Sequence, residues 1–200
     1  MSALPLFPLQ HALFPDGSLQ LQVFEVRYLH LVRRCLEAGM PFGVVGLLSG
    51  HEVRSPEGTE VLTEAGTLAH IQSSETVMPG LMRIQCRGGE RFRLLHAEIG
   101  QYGLWMGQAE PLPQDPVVPV PEALRSTVQV LERLIRLDQA RGAPWLGNAD
   151  TARLDEAGWV ANRLAEALPL DMSQKEGLML MNDALERLTW IHGWLETSGK

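Results

Sequence analysis

Residues 5–28 read PLFPLQHALFPDGSLQLQVFEVRY, and this stretch decides the fold. Proline fixes φ and removes a backbone donor, so the proline-rich first part suits an edge strand or an extended arm rather than a helix. Apolar side chains then alternate with polar ones at Leu19, Leu21 and Val23, which is the pattern of a half-buried strand. The chain is therefore expected to form β-structure before its first helix.

The apolar period changes from two to that of a helix after Phe24. Gly39 is well placed to end this helix, because glycine readily adopts the left-handed conformation at a helix C-terminus. A run of apolar residues, FGVVGLL at 42–48, then predicts a buried strand. The polar, acidic segment 49–65 is expected to be a surface loop.

The middle of the chain continues in strand patterns. Residues 66–71 and 104–109 each predict a strand. Two alternating runs, at 82–87 and 91–94, flank Gly88-Gly89, and this arrangement predicts a hairpin that turns at the two glycines.

A cluster of prolines at 111–121 marks the predicted boundary between two parts of the chain. We expect a β-barrel domain at 1–118 and a helical bundle at 119–200. Apolar periodicity predicts helices over 124–138 and 160–168. A third helix is expected to begin at Ser173, with Glu176 completing a capping box, and to run through Leu195.

Composition narrows the classes of function. The 200 residues carry a net charge of −7, which does not favour sequence-independent nucleic-acid binding but does not exclude a local basic patch. The two cysteines fit a reducing compartment better than a disulfide framework. No secretory signal and no apolar stretch long enough to cross a membrane is present. A cytoplasmic protein without membrane partners is expected.

Several short motifs, in this order and spacing, resemble the amino-terminal domain of Lon proteases: PLFPL at 5–9, LFP at 13–15, FEVRY at 24–28, FGVV at 42–45, GTLAHI at 66–71, GGERFRL at 88–94, LPL at 168–170 and ERL at 186–188. The resemblance implies an α+β fold, in which a mostly antiparallel PUA-like pseudo-barrel with a packed helix precedes a helical bundle. It also implies a role in selecting polypeptide substrates and in assembling an oligomer.

The catalytic signatures of full Lon proteases do not occur in the sequence. It has no G-x-x-x-x-G-K-[ST] loop, and its only lysines are Lys175 and Lys200. A serine–lysine dyad needs a serine activated by a buried lysine, and neither lysine is predicted to be one. The six histidines show no metal-ligand spacing. We therefore predict no catalytic residue, no cofactor and no metal site.

Two pairs of residues form the predicted binding surface. Arg83 and Arg87 share the polar face of one strand, with Arg91 and Arg93 expected on its hairpin partner. Trp145 and Trp190 are expected in a loop and on the polar side of the last helix, and aromatic residues at such places often anchor interfaces. The alternatives for these residues are a salt-bridged surface and packing between barrel and bundle.

Three functional hypotheses follow. The first is a non-catalytic protein that binds polypeptide or a protein partner, including a second copy of itself. The second is an RNA-binding module of PUA type that uses the basic hairpin face, although exposed aromatics for base stacking are not interleaved with its arginines. The third, an enzyme or small-ligand binder, needs convergent polar groups that the sequence does not indicate.

Overall fold

The computed structural model describes residues 3–52, 60–140, 146 and 151–198. Within these, six strands and five α-helices follow one another in this order: β1 (Leu4–Leu9), β2 (Ser18–Val23), α1 (Val26–Ala38), β3 (Phe42–Ser49), β4 (Val61–Met78), β5 (Leu81–Ile99), β6 (Trp105–Pro111), α2 (Arg125–Ala140), α3 (Ala157–Ala167), α4 (Met172–Leu180) and α5 (Ala184–Ser198). No described helix is both long enough and apolar enough to cross a membrane.

The strands form one sheet in the order β2-β5-β4-β3-β1-β6, and β5 also pairs with β6. This last pairing closes five strands into a barrel and leaves β2 outside it. Strand β5 is 19 residues long, so one part of it can pair with β2 while another part pairs with β6 and closes the barrel. Residues 82–87 of β5 pair with β2, and residues 92–99 pair with β6. Among the described strands only the β1–β3 pairing is parallel, so the expected mostly antiparallel α+β fold is confirmed.

Two large apolar cores hold the fold together. One lies between α1 and the sheet and includes Tyr28, Val32 and Ile84. The other lies among the helices around Leu131 and Leu164. The second core is not confined to the helical part, because it also contains Phe14 and Ala65. The predicted boundary near residue 118 stays a prediction.

The predicted hairpin at Gly88-Gly89 is wrong. Strand β5 runs straight through both glycines, and the turn lies at Pro79-Gly80, where Gly80 has a φ of 84°. The glycines serve close packing instead. A Cβ at Gly88 would lie 2.1 Å from the carbonyl oxygen of Phe14, and one at Gly89 would lie 2.6 Å from Nε2 of His70. Only glycine allows this approach within a strand.

The single long third helix is also wrong. It is divided into α4 and α5 by the non-helical residues 181–183. The capping box is formed by Asp171 and Gln174, two residues earlier than the predicted Ser173 and Glu176. The chain leaves the helix here because the carbonyl oxygen of Met181 accepts hydrogen bonds from two arginines, Arg91 at 2.7 Å and Arg187 at 2.6 Å. The helices predicted at 124–138 and 160–168 correspond to α2 and α3.

Candidate functional site

A groove with a volume of about 640 Å³ runs beside β2. Every residue from Ser18 to Glu25 lines it. Its apolar wall is the outer surface of the core under α1, and the residues that form this wall are Phe7, Leu9, Leu13, Leu19, Leu21 and Tyr28. Among the described strands β2 pairs only with β5, so the groove follows a strand edge that has no hydrogen-bonding neighbour.

A β-bulge sets the start of β2. Asp16 has a φ of 66°, its N–H donates to the carbonyl of Gly88 at 2.8 Å, and the N–H of Gly88 donates to the carbonyl of Gly17 at 2.9 Å. These are the conformation and the hydrogen bonds of a G1 bulge, and aspartate tolerates its left-handed position better than most residues. The bulge directs the chain onto β5 and fixes the register of β2.

Two arginines hold the bulge in place through Asp16. Its carboxylate accepts hydrogen bonds from Arg87 at 2.7 Å and from Arg153 at 2.6 Å. Burial alone would raise the pKa of Asp16, but the two guanidinium groups outweigh it, and the pKa lies below its ordinary value. The carboxylate is therefore charged at neutral pH.

The helical part of the chain forms one end of the groove. Glu166 on α3 accepts a hydrogen bond from the N–H of Phe14 at 2.8 Å and lies 2.9 Å from Arg163. Burial raises the pKa of Glu166 to about 7, against the opposing effect of Arg163. Lys175 on α4 donates to the carbonyl of Glu166 at 3.1 Å, and burial lowers the pKa of Lys175.

The other two groove carboxylates differ in their partners. Glu25 lies 3.0 Å from Arg27, which neutralises it. Glu52 accepts a hydrogen bond from the N–H of Gln10 at 2.7 Å, and no cation among the described residues pairs with it. The groove thus combines apolar walls, a strand edge and one carboxylate that no cation in the described part of the chain neutralises.

The predicted arginines do not line this groove. Arg83 and Arg87 lie on the outward face of β5, opposite Gln22 and Ser18 of β2. Both are exposed, and both have a carboxylate partner: Arg83 lies 3.3 Å from Glu75, and Arg87 binds Asp16. Their role in binding stays a prediction, as does the RNA hypothesis, which no described contact favours.

The expectation that Arg91 and Arg93 lie on a partner strand is wrong, because β5 does not turn between the two pairs. Arg93 is half-buried and lies 3.8 Å from Glu110. Arg91 is 2% exposed and lies in a second cavity of about 300 Å³ between barrel and helices. It is bound to Asp115 at 3.1 Å, which indicates a structural role.

The family model for the ATP-dependent protease La (LON) substrate-binding domain matches residues 3–197. The chain belongs to this family. Its described fold is also similar to a crystal structure of a Lon N-terminal domain protein from Xanthomonas campestris, with 31% identity and a TM-score of 0.76 over 97% of this chain and 99% of that one.

A second solved structure shares the fold of this LON substrate-binding domain protein. It is the N-terminal domain of the Mycobacterium avium complex Lon protease, with 17% identity, a TM-score of 0.60 and coverage of 98% of each chain. Comparison with curated proteins gives no match. The resemblance read from the short motifs is therefore confirmed along almost the whole chain.

Of the two predicted tryptophans of this Lon-type domain, only Trp190 lies within the described residues. It is half-buried and packs against the helical core, away from the groove. Trp145 lies outside the described residues. In the described part of the chain, no group of three or more histidine, cysteine, aspartate or glutamate side chains is arranged to hold a metal ion.

The groove was missed because its sequence signal is weak. Leu19 and Leu21 show the alternation of any half-buried strand, and nothing in that pattern indicates that the strand has a free edge. Phe24 offers the one local signal, since it follows the strand directly and is 55% exposed.

Proposed function

We propose that this protein binds extended, non-native polypeptide in the groove beside β2 and performs no catalysis itself. The observation that carries the proposal is the combination of an apolar groove with an unpaired strand edge. Membership of the LON substrate-binding domain family supports it. The proposal adds a location and a physical means to that membership.

The groove suits side chains that a folded protein keeps inside. Its walls include the stacked rings of Phe7 and Tyr28, whose centroids are 3.9 Å apart. Burying one leucine-sized side chain contributes about 1.5–3 kcal/mol, so several together offset the cost of association. Micromolar affinity, which corresponds to about −8 kcal/mol, is the expected range.

The polar groups of the groove are arranged for structure rather than for reaction. Glu25 and Glu166 are held by arginines, and Lys175 is hydrogen-bonded to a backbone carbonyl. None of these pairs brings a nucleophile into contact with a general base, which acyl transfer would require. A binding role therefore fits the lining better than catalysis does.

Binding of an unfolded model chain tests the proposal. Reduced ribonuclease A with carbamidomethylated cysteines, an unfolded chain without added negative charge, would carry a fluorophore and be titrated with the protein, and anisotropy would report the affinity. Phe24→Glu places a charge on the groove wall. Leu137→Glu is the matched control, because Leu137 is 50% exposed on α2, close to the 55% of Phe24, and lies outside the groove.

We expect Phe24→Glu to weaken binding about tenfold or more, and Leu137→Glu to leave it within about twofold. Circular dichroism would confirm that both variants fold. The proposal is overturned if the unmodified protein binds no unfolded chain more tightly than about millimolar, or if the two variants bind equally well.

A further inference from the structure

The G1 bulge determines which backbone groups of β2 face the open edge. In an antiparallel pair, residues alternate between those that exchange hydrogen bonds with the partner strand and those that point away from it. Across the bulge, the N–H of Gly88 donates to the carbonyl of Gly17, and the carbonyl of Gly88 accepts from the N–H of Asp16. The alternation then turns Leu19, Leu21 and Val23 toward β5. Their neighbours Ser18, Gln20 and Gln22 are left with N–H and C=O groups at the open edge.

Among the described residues, little protects this edge beyond the G1 bulge that precedes the strand. Natural sheets guard edge strands with charged residues, proline, a bulge within the strand or a covering segment. The six residues SLQLQV of β2 contain no charge and no proline, and the register with β5 is unbroken from Ser18 to Val23. Open space with apolar walls lies beside them.

We propose that the bound polypeptide adds to β2 as a further strand, hydrogen-bonded to the backbone of Ser18, Gln20 and Gln22. This inference rests on the proposed function and specifies its mode. Backbone pairing supplies affinity without requiring one sequence, because every residue except proline offers the same donor and acceptor. The ligand class is therefore extended segments, and a preformed helix does not qualify.

The side chains of β2 determine the pattern that the segment must have. Leu19 and Leu21 point toward the core under α1, while Gln20 and Gln22 are exposed on the other face. An added strand has the same alternation. Every second residue of the segment enters the groove beside the apolar wall, so those positions are apolar and the intervening ones polar.

The negative charge at the groove favours basic residues beside the bound segment. Of the groove carboxylates, Glu52 alone has no cationic partner among the described residues, and the chain as a whole carries a charge of −7. A lysine or arginine near the Glu52 end of the bound segment complements the Glu52 carboxylate and the negative net charge of the protein. Acidic flanks meet repulsion there. The preferred ligand is an alternating apolar segment with basic flanks.

A backbone substitution in β2 tests the mode. Gln20→Pro removes the outward N–H and places a ring in the path of an added strand, while the hydrogen bonds to β5 stay in place. Gln20→Ala is the control, because it removes the side chain and keeps the N–H. The probe is a fluorescent, capped peptide of alternating valine and threonine with lysine flanks. Thermal unfolding would confirm that both variants fold.

We expect Gln20→Pro to weaken binding about tenfold or more and Gln20→Ala to change it by less than about threefold. A second experiment uses the unmodified protein. Peptides N-methylated at alternate positions should split into two sets, one that loses affinity and one that does not, because only every second N–H of an added strand faces β2. A glutamate-flanked peptide should bind more weakly, with the difference reduced by salt.

The outcomes separate the two proposals. If Gln20→Pro binds the peptide as the unmodified protein does, or if both methylated sets bind equally well, strand addition is overturned while polypeptide binding stands. If the unmodified protein binds neither the peptide nor an unfolded chain, the proposed function itself is overturned. Weaker binding of the lysine-flanked peptide than of the glutamate-flanked one contradicts the charge preference alone.

Discussion

Substitution of Arg187 should destabilise the whole protein, because its fully buried guanidinium makes five hydrogen bonds. It donates to Asp115 at 2.7 and 3.0 Å, to the side chain of Asn162 at 2.9 Å, and to the carbonyls of Leu178 at 3.0 Å and Met181 at 2.6 Å. These contacts join α3, the break between α4 and α5, and the segment after β6. Arg187→Met keeps most of the apolar stem and removes all five.

The size of the loss in unfolding free energy follows from the polar groups that Arg187→Met leaves without a hydrogen-bond donor. Asp115 loses its two-pronged partner and keeps Arg91, while the carbonyl of Leu178 and the side chain of Asn162 lose their guanidinium donors. Breaking a buried ion pair costs about 3–5 kcal/mol. Because Arg91 still binds Asp115 and the carbonyl of Met181, we expect the lower end, about 3 kcal/mol. For a chain of this size that lowers the melting temperature by about 6–12 °C.

Urea unfolding followed by circular dichroism would measure the change in the free energy of unfolding. Arg136→Met is the control, because the Arg136 side chain is 75% exposed on the surface of α2 and its only ion pair among the described residues is with Glu132 at 3.4 Å. That surface pair is worth about 0.5 kcal/mol or less. A loss below about 1 kcal/mol for Arg187→Met would refute the reasoning that the buried cluster holds the helices to the barrel.

Three further substitutions test the packing around β2, α3 and α4. Burial raises the pKa of Glu166 to about 7, so between its ordinary value of 4.5 and 7 the folded state binds more protons than the unfolded state. The stabilising contribution of this group is complete below that range and is lost as the pH rises through it. The stability of the unmodified protein relative to Glu166→Gln should therefore fall from about pH 5 to about pH 8, as measured by urea unfolding; a difference that does not vary with pH contradicts this. Gly88→Ala would place a Cβ 2.1 Å from the carbonyl oxygen of Phe14 and should destabilise the protein by about 1–3 kcal/mol. Gly177→Ala, in α4 with no atom within 4 Å of its Cβ, should stabilise it by about 0.5–1 kcal/mol, and thermal shifts of the same sign for both glycines would show that close packing is not the cause.

The local elements could largely be predicted, because their signals lie in adjacent residues. The alternation at Leu19, Leu21 and Val23 corresponds to β2, and the helical spacing after Phe24 corresponds to α1. Gly39 ends that helix with a φ of 62°, as its position indicated. Each of these features depends on residues only a few positions apart.

Features that depend on distant residues could not be predicted. Two glycines between alternating runs fit a hairpin turn as well as a close approach, and only the position of Phe14 against Gly88 decides between them. Likewise, the break after α4 depends on Arg91, which reaches it from β5, so the periodicity of the helices contains no sign of it. In both cases the deciding partner lies far away in the sequence.

The candidate site belongs to this second class, since a groove requires both an open strand edge and a wall. The edge is open because β5 pairs with β6 and leaves β2 outside the closed barrel. One end of the groove is set by helices: Glu166 binds the N–H of Phe14, and Arg163 donates to the carbonyl of Pro15. The segment that leads into β2 is thus anchored to α3, whose residues come more than a hundred positions later. A site of this kind is determined by how barrel and helices pack together, and neither part contains it alone.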